Sequence, residues 1–302
     1  MLSVVLPSYN EEGNVENTNK VLSELLAAEH IPYELIFVND GSKDNTQDKL
    51  EKVCLSNLNA HYIMFSRNFG KEAAISAGLG LSKGDCVAVM DCDLQFPPVT
   101  LIEMYRMWEQ GYEVIEGVKR SRGKESGLHA RAAKTFYGIM SKATHLDMSR
   151  ASDFKLLDRK AVNAVLSIPE YHSFFRALSS WVGFKTATVE FDVQERLVGE
   201  SKWSTKSLIK YAVDNIMEFS TIPMQIVTGV GSITFVISII LVIQTLIQYF
   251  SGKAAEGFTT VIILQLFLGG VLMIGLGIIG MYISKIYDEV KRRPKYIISK
   301  SK

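Results

Sequence analysis

Short apolar runs alternate with polar clusters through the first two thirds of the chain. Residues 2–6, 34–38, 61–65 and 86–90 each read as a buried strand, with little polarity inside the run. Each run is followed by a polar cluster and then by an amphipathic or small-residue stretch. These stretches predict helices over about 14–28, 45–57, 72–82 and 99–110. Asn10 is the expected N-cap of the first helix, with Glu11 and Glu12 placed to favour its first turn; Asp44 is the expected cap of the second. Further strands are expected at 113–118, just after Asp153, and at 186–193, with Asp158 capping the helix that follows the second of these. Strand–loop–helix repeated four times predicts an α/β fold, a doubly wound and mostly parallel sheet.

The pattern changes in the last third. No charged residue occurs from Phe219 to Gly252, nor from Gly257 to Ser284. Each run exceeds the ~20 residues that cross a bilayer, so two spans are expected at about 224–250 and 259–284. Ahead of them, Lys206 to Glu218 is amphipathic: Leu208, Ile209, Ala212, Val213 and Ile216 share one face. Such a helix either lies in the membrane interface or packs on the globular part. After Ser284 come Lys285, Lys291, Arg292, Arg293, Lys295, Lys300 and Lys302 against Asp288 and Glu289. The positive-inside bias puts this tail, and with it the N-terminal part, in the cytoplasm. Gly269, Gly270, Gly277 and Gly280 fall within about 100° of arc, a smooth face for close helix packing against the first span or another subunit. The expected organisation is therefore 1–205 a globular α/β domain, 206–222 interfacial, and 223–302 a two-span anchor with a basic tail.

Composition narrows the function. A net charge of +1 offers no field for nucleic acid, and no nucleic-acid motif is present. Cys54, Cys86 and Cys92 are scattered, which fits a reducing compartment and argues against a disulfide framework or zinc site. The first residues lack a basic segment and a long apolar stretch, so they read as a strand and not as a signal peptide.

The chemistry gathers at strand ends, where open α/β sheets bind their ligands. Asp91-Cys92-Asp93-Leu94-Gln95 follows the fourth strand. Two carboxylates one residue apart, with a Gln oxygen beside them, suit Mg2+ or Mn2+ next to a diphosphate; alone they also fit an acidic turn. Clusters at 7–12, 39–42 and 66–71 fall on the same rim. Lys119-Arg120-Ser121-Arg122-Gly123-Lys124, then Arg131 and Lys134, suit a phosphate or an anionic lipid surface. Arg196-Leu197-Val198-Gly199-Glu200-Ser201-Lys202-Trp203 offers Arg196, Ser201 and Lys202 to phosphates.

Pro7-Ser8-Tyr9-Asn10-Glu11, Asn39-Asp40-Gly41-Ser42, Arg67-Asn68-x-Gly70-Lys71 and Asp91-x-Asp93-Leu94-Gln95 occur in that order. Together they resemble the nucleotide-sugar half of a family 2 glycosyltransferase with its GT-A fold. The Arg-x-x-Gly-x-Ser-Lys-Trp stretch and the two spans are similar to the polyprenyl-phosphate branch, which includes bactoprenol glucosyltransferases and dolichol-phosphate mannose synthases. The resemblance implies that Pro7, Tyr9, Glu11 and Asp40 hold the nucleoside, and that Arg67 and Lys71 lie near diphosphate or ribose. It implies that Asp91, Asp93 and Gln95 hold the metal and that Asp153 faces the acceptor. Many family members have Asp where this chain has Asn39, which keeps a polar side chain but loses a charge.

The implied reaction moves a sugar, glucose by analogy, from a nucleotide diphosphate (UDP favoured) to a membrane polyprenyl phosphate, with inversion. The enzyme would be a homo-oligomer, a tetramer by resemblance, with its catalytic part on the cytosolic face of the inner membrane. Because a phosphate monoester has a second pKa near ~6, the acceptor is mostly dianionic at neutral pH and needs no strong base. Asp153 would orient it or catch residual protons, and Arg131, Arg120, and Arg196 or Lys202 would hold phosphates. Two other readings fit the residues: transfer to a lipid alcohol, which demands a true base, and a silent membrane scaffold that binds nucleotide sugar.

Overall fold

The computed structural model describes residues 1–120, 152–170, 174–192, 222–251 and 258–302. They form two units: Met1–Lys210 with Arg292–Lys302, and Tyr211–Lys291.

In the first unit, β1 (Leu2–Ser8), α1 (Val15–Ala28), β2 (Tyr33–Asn39), α2 (Thr46–Ser56), β3 (Ala60–Phe65), α3 (Lys71–Leu81), β4 (Cys86–Val89) and α4 (Pro98–Glu109) alternate as the patterning predicts. Next come β5 (Val114–Lys119), β6 (Lys155–Asp158), α5 (Arg159–Ser167), α6 (Phe175–Trp181) and β7 (Thr186–Phe191). The last strand, β8 (Ile298–Ser301), lies near the end of the chain. The eight strands make one sheet in the order β7-β5-β6-β4-β1-β2-β3-β8. β1 pairs in parallel with β2 and β4, β2 with β3, and β5 with β7. β6 is antiparallel to both of its neighbours, β4 and β5, and β8 is antiparallel to β3.

The central strands are continuously buried because helices cover both faces. On one face Leu2, Val4, Leu6, Leu35 and Phe37 pack with Leu22, Leu26, Leu50, Leu101 and Met104 from α1, α2 and α4. On the other, α3 packs on β1 and β2 and is joined by α5. Its small residues Ala73, Ala74, Ala77 and Gly78 let it press close. A Cβ at Gly78 would come 2.2 Å from Val5 Cγ1.

Two local features differ from expectation. α1 starts at Val15 with Asn14 in the N-cap position, whereas Asn10 is left-handed (φ 54°) and serves the neighbouring loop. Its N–H donates to Ser42 Oγ at 2.9 Å and its Oδ1 accepts from Lys43 N at 2.8 Å. Second, residues 292–302, expected as part of the anchor, belong to the globular unit through β8. Lys155 lies fully buried in β6, answered by Glu116 of β5 at 2.6 Å and by Ser180 Oγ at 2.9 Å. Asp158 caps α5 as predicted, accepting from Lys160 N, and also accepts from Trp108 Nε1. All three cysteines are free and buried. Burial pushes the Cys54 thiol up to about 11 and the Cys92 thiol up to about 12, and raises Cys86 as well.

The second unit holds α7 (Ile222–Phe250) and α8 (Phe258–Lys291), which pack on each other. Ile222–Gln248 and Leu264–Lys291 are long and apolar enough to cross a membrane. Large apolar side chains such as Phe235, Leu266 and Met273 are exposed along them, a surface that lipid would cover. Where α8 meets α7, Gly275 faces Val227; Gly269, Gly270, Gly277 and Gly280 have no such neighbour among the described residues.

Candidate active site at the carboxyl ends of the strands

Parallel strands deliver their following loops to one rim, and the predicted clusters meet there. Asn39 ends β2 and closes the next turn: its Oδ1 accepts from Ser42 N at 2.9 Å and its Nδ2 donates to Gln47 Oε1 at 3.0 Å. An Asp would supply the first bond but not the second, which gives a local reason for Asn at this position. Asp40, 4% exposed, accepts from Phe69 N at 2.6 Å and Gly70 N at 3.0 Å. Burial raises its pKa against the pull of these two bonds and of Arg67. Gly41 has φ +63°, and a Cβ there would lie 2.4 Å from the Arg67 carbonyl carbon. The loops after β2 and β3 thus touch through backbone, which demands glycine.

The loop after β3 leads into Lys71, the first residue of α3. Its Nζ lies 2.5 Å from Asp91 Oδ1 and 2.7 Å from Asp153 Oδ2. Arg176 of α6 grips the same Asp153 with two bonds, Nε to Oδ1 at 2.5 Å and Nη2 to Oδ2 at 2.9 Å. The result is a row of alternating charge, Asp91–Lys71–Asp153–Arg176. Burial alone would raise the pKa of Asp153, but Arg176 and Lys71 outweigh it and hold the carboxyl well below the usual range. Asp153 is therefore a weak proton acceptor at neutral pH. For Lys71, burial disfavours the ammonium, yet Asp153 and Asp91 keep it above its ordinary value. Glu72, next in α3, accepts from Phe175 N at 2.9 Å and so fixes the start of α6, which carries Arg176. Burial first, then the Asp153 charge, push the Glu72 carboxyl up to about 7.

In the loop 91–95, Cys92, Asp93 and Leu94 are buried, whereas Asp91 and Gln95 are partly exposed. The Cys92 carbonyl accepts from Thr18 Oγ1 at 2.6 Å, Leu94 is left-handed (φ 55°), and Asp93 Oδ1 accepts from Gln95 N at 3.1 Å. No group of three or more His, Cys, Asp or Glu side chains converges among the described residues. The donor set of this loop is two carboxylates and an amide oxygen, which suits a hard cation that shares its shell with phosphate and water. The Lys71 ammonium on Asp91 already stands as a cation at one of these carboxylates.

The other predicted residues are placed less centrally. Pro7 lies within β1, in register with Val38, and Tyr9 is half-buried just beyond. Glu11 Oε2 accepts from Asn14 Nδ2 at 2.6 Å and its N–H donates to Thr46 Oγ1 at 2.8 Å. The Arg67 guanidinium lies 4.1 Å over the Phe69 ring. Arg120 is 60% exposed at the ends of β5 and β7, bonded to Asp192 at 3.0 Å and 3.7 Å from Glu190. These acidic partners lie outside the Lys71–Asp153 row. Arg131, Arg196, Ser201 and Lys202, together with the amphipathic stretch 206–221, lie outside the described residues. Arg176 and Glu72 escaped the sequence reading. The only signals were a lone Arg behind Phe174-Phe175 and a Glu adjacent to a motif lysine.

Comparison with known proteins gives the family and the fold. A sequence profile described as Glycosyl transferase family 2 matches residues 3–168. An uncharacterised glycosyltransferase of Synechocystis sp. is 39% identical over 99% of this chain and 94% of its own length. A prophage-derived bactoprenol glucosyl transferase of Shigella flexneri is 35% identical over 99% of this chain and 98% of its own. In fold, the chain is similar to the glucosyl-3-phosphoglycerate synthase of Mycobacterium tuberculosis, crystallised with Mn2+, UDP and glucosyl-3-phosphoglycerate. The TM-score is 0.55 at 18% identity, over 72% of this chain and 77% of that one.

Proposed function

The chain belongs to glycosyl transferase family 2 and is a glycosyltransferase, and from that premise we propose that it moves glucose from UDP-glucose to a membrane polyprenyl phosphate. A relative named for bactoprenol glucosyl transfer aligns over nearly the whole chain, including both apolar helices. The observation that carries the reading in this chain is the Asp91–Lys71–Asp153–Arg176 row at the rim of the sheet. It joins a carboxylate pair suited to a cation with two cationic side chains suited to phosphate.

In this reading Asp91, Asp93 and Gln95 hold Mg2+ or Mn2+, which neutralises charge on the departing diphosphate when bound. Lys71 lies between that loop and Asp153 and serves the phosphates. An oxygen of the acceptor phosphate attacks the anomeric carbon. The bond from that carbon to the nucleotide diphosphate breaks, and the UDP takes the electron pair, inverting the centre. The acceptor is mostly dianionic at neutral pH, with a second pKa near ~6, so no proton has to be removed. The low proton affinity of Asp153 fits that requirement: its role is to hold Lys71 and Arg176 toward the phosphate, not to act as a base. Pro7, Tyr9, Glu11, Asp40 and Arg67 line the nucleotide side. Arg120, Arg131, Arg196, Ser201 and Lys202 are assigned to phosphates on the strength of their chemistry.

Two spans return the chain to the side from which it entered. Pairing of β8 with β3 supports the same reading, since both strands belong to one sheet. The basic residues beyond Ser284 favour the cytosolic side of the inner membrane. Assembly into a homo-oligomer belongs to the same proposal.

The test uses the full chain in detergent with undecaprenyl phosphate and Mn2+ or Mg2+. Nucleotide release is measured from UDP-glucose, UDP-galactose, UDP-N-acetylglucosamine and GDP-mannose, with Asp93→Asn as control. Lipid-dependent release from UDP-glucose, lost in the variant, is expected. Release without lipid would replace the acceptor, and no release from any donor would return the chain to the scaffold reading.

A further inference from the structure

Beyond the second apolar helix the chain does not end as a loose basic tail. Only residues 292–297 separate the end of α8 at Lys291 from β8. β8 then adds to the free edge of β3, with Ile63 opposite Ser301, Met64 opposite Lys300 and Phe65 opposite Ile298. Backbone bonds continue past the strand at both ends: Ser66 N donates to Ile297 O at 2.9 Å, and Tyr62 and Lys302 exchange bonds at 3.1 and 2.9 Å. Side chains add to the seam. Ser299 Oγ donates to the Met64 carbonyl, Lys300 pairs with Glu51 at 3.1 Å, and Lys302 Nζ donates to the Cys54 carbonyl at 3.2 Å.

The contact closest to the candidate site is aromatic. The Tyr296 ring stacks on Phe65 with centroids 5.0 Å apart and planes within 13°. Phe65 in turn meets Phe69 edge-on at 5.7 Å, and Arg67 lies over Phe69. A continuous ladder, Tyr296–Phe65–Phe69–Arg67, therefore runs from the tail into the loop after β3. On its inner side that loop is held by Asp40 through Phe69 N and Gly70 N. On its outer side it is held by Tyr296 and by the Ser66–Ile297 bond. The loop ends in Lys71, which reaches both Asp91 and Asp153.

We infer that residues 292–302 are a positioning element of the donor site: the C-terminal strand and Tyr296 hold the Ser66–Lys71 loop in the conformation that receives the nucleotide diphosphate. The inference rests on the donor-site reading given above. Aromatic pairs of this kind contribute modestly beyond their buried area, and strand addition supplies main-chain bonds with defined register. Together they order a loop that Asp40 alone grips at two adjacent N–H groups. The tail then contributes to donor affinity and not to the chemical step.

The experiment compares the full chain with a variant lacking residues 292–302 and with Tyr296→Ala and Tyr296→Phe. Binding of UDP is measured by calorimetry in detergent with Mn2+, alongside KM for the donor, kcat and unfolding midpoint. Deletion is expected to weaken UDP binding and raise the donor KM roughly tenfold, with kcat within about twofold and KM for the lipid unchanged. Tyr296→Ala should give roughly a threefold effect and Tyr296→Phe almost none, since stacking needs only the ring. A synthetic peptide of residues 292–302, added to the deleted chain, should restore UDP binding by re-forming the strand. Unchanged UDP affinity in a folded deletion variant overturns the inference. So does a loss that falls equally on kcat and both KM values and that the peptide does not repair. If the intact chain itself binds no UDP, the donor-site reading fails instead, and the two failures are told apart by that first titration.

Discussion

Replacing Glu72 with Gln should stabilise the protein at pH 8 and leave it unchanged near pH 4.5. Glu72 is partly buried beside Asp153, and these two influences push its carboxyl from an ordinary 4.5 up to about 7. Below pH 4.5 the group is protonated whether the chain is folded or not, and it costs nothing. As pH rises from 4.5 to 7 the unfolded chain releases the proton first, so folded stability falls, and the loss is complete by about pH 8. At about 1.4 kcal/mol for each pH unit between those values, the ceiling is about 3 kcal/mol. Partial exposure of the carboxyl lowers this, and about 2 kcal/mol is expected. Gln keeps an oxygen to accept from Phe175 N but carries no charge to desolvate. Urea unfolding of the detergent-solubilised chain, followed by tryptophan fluorescence at pH 4.5, 6 and 8, reads the effect directly. At pH 8 it corresponds to a thermal midpoint roughly 4–8 °C higher. An offset that is the same at every pH, or a destabilised variant at pH 8, would refute the reasoning.

Asp153→Asn should act in the opposite sense. It leaves Arg176 and Lys71 facing each other without the anion between them and should cost about 2–4 kcal/mol at pH 7. Since the Asp153 pKa is depressed, this contribution is present above the unfolded value near ~3.9 and is lost as pH falls through the folded one. The urea midpoints of wild type and variant should therefore converge only in strong acid. Lys155→Met leaves the largely buried Glu116 carboxylate without its cation and should cost about 3 kcal/mol, part of which a second change, Glu116→Gln, recovers in equilibrium unfolding. Gly78→Ala drives a methyl group into Val5 and should cost about 1–3 kcal/mol, relieved when Val5→Ala is added.

The alternating part of the fold was legible because each central strand is buried on both faces and so reads as an unbroken apolar run. The rim was legible for a related reason: parallel strands carry their loops to one edge, so the clusters after Leu6, Val38, Phe65 and Met90 had to meet. β6 was harder to place. Its antiparallel insertion between β4 and β5 depends on pairings far apart in sequence, and Lys155 looks like a surface residue until Glu116 is seen opposite. β8 was invisible for the same reason, and because Ile298-Ser299-Lys300-Ser301 is short, exposed and polar at three of its four positions, as a charged edge strand should be. Arg176 belongs to no motif; only the fold brings it to Asp153. Asp40 and Glu11 are expected as nucleoside ligands from the sequence, and the bonds their carboxylates accept come from loop backbone and from Asn14, so they shape the loops of the rim.

The burial of Cys54, Cys86 and Cys92 has a practical meaning for anyone wishing to watch this protein move. With thiols pushed up to about 11 or beyond, fewer than roughly one in a thousand is a thiolate at pH 7.5, and each is shielded besides. The native surface is therefore silent to maleimides. One cysteine placed at exposed Leu58 and another at Lys300 would take a fluorophore pair across the β3–β8 seam, with the native thiols left in place. Docking and release of the C-terminal strand then become a distance that can be followed in an intact bilayer while donor and lipid are added.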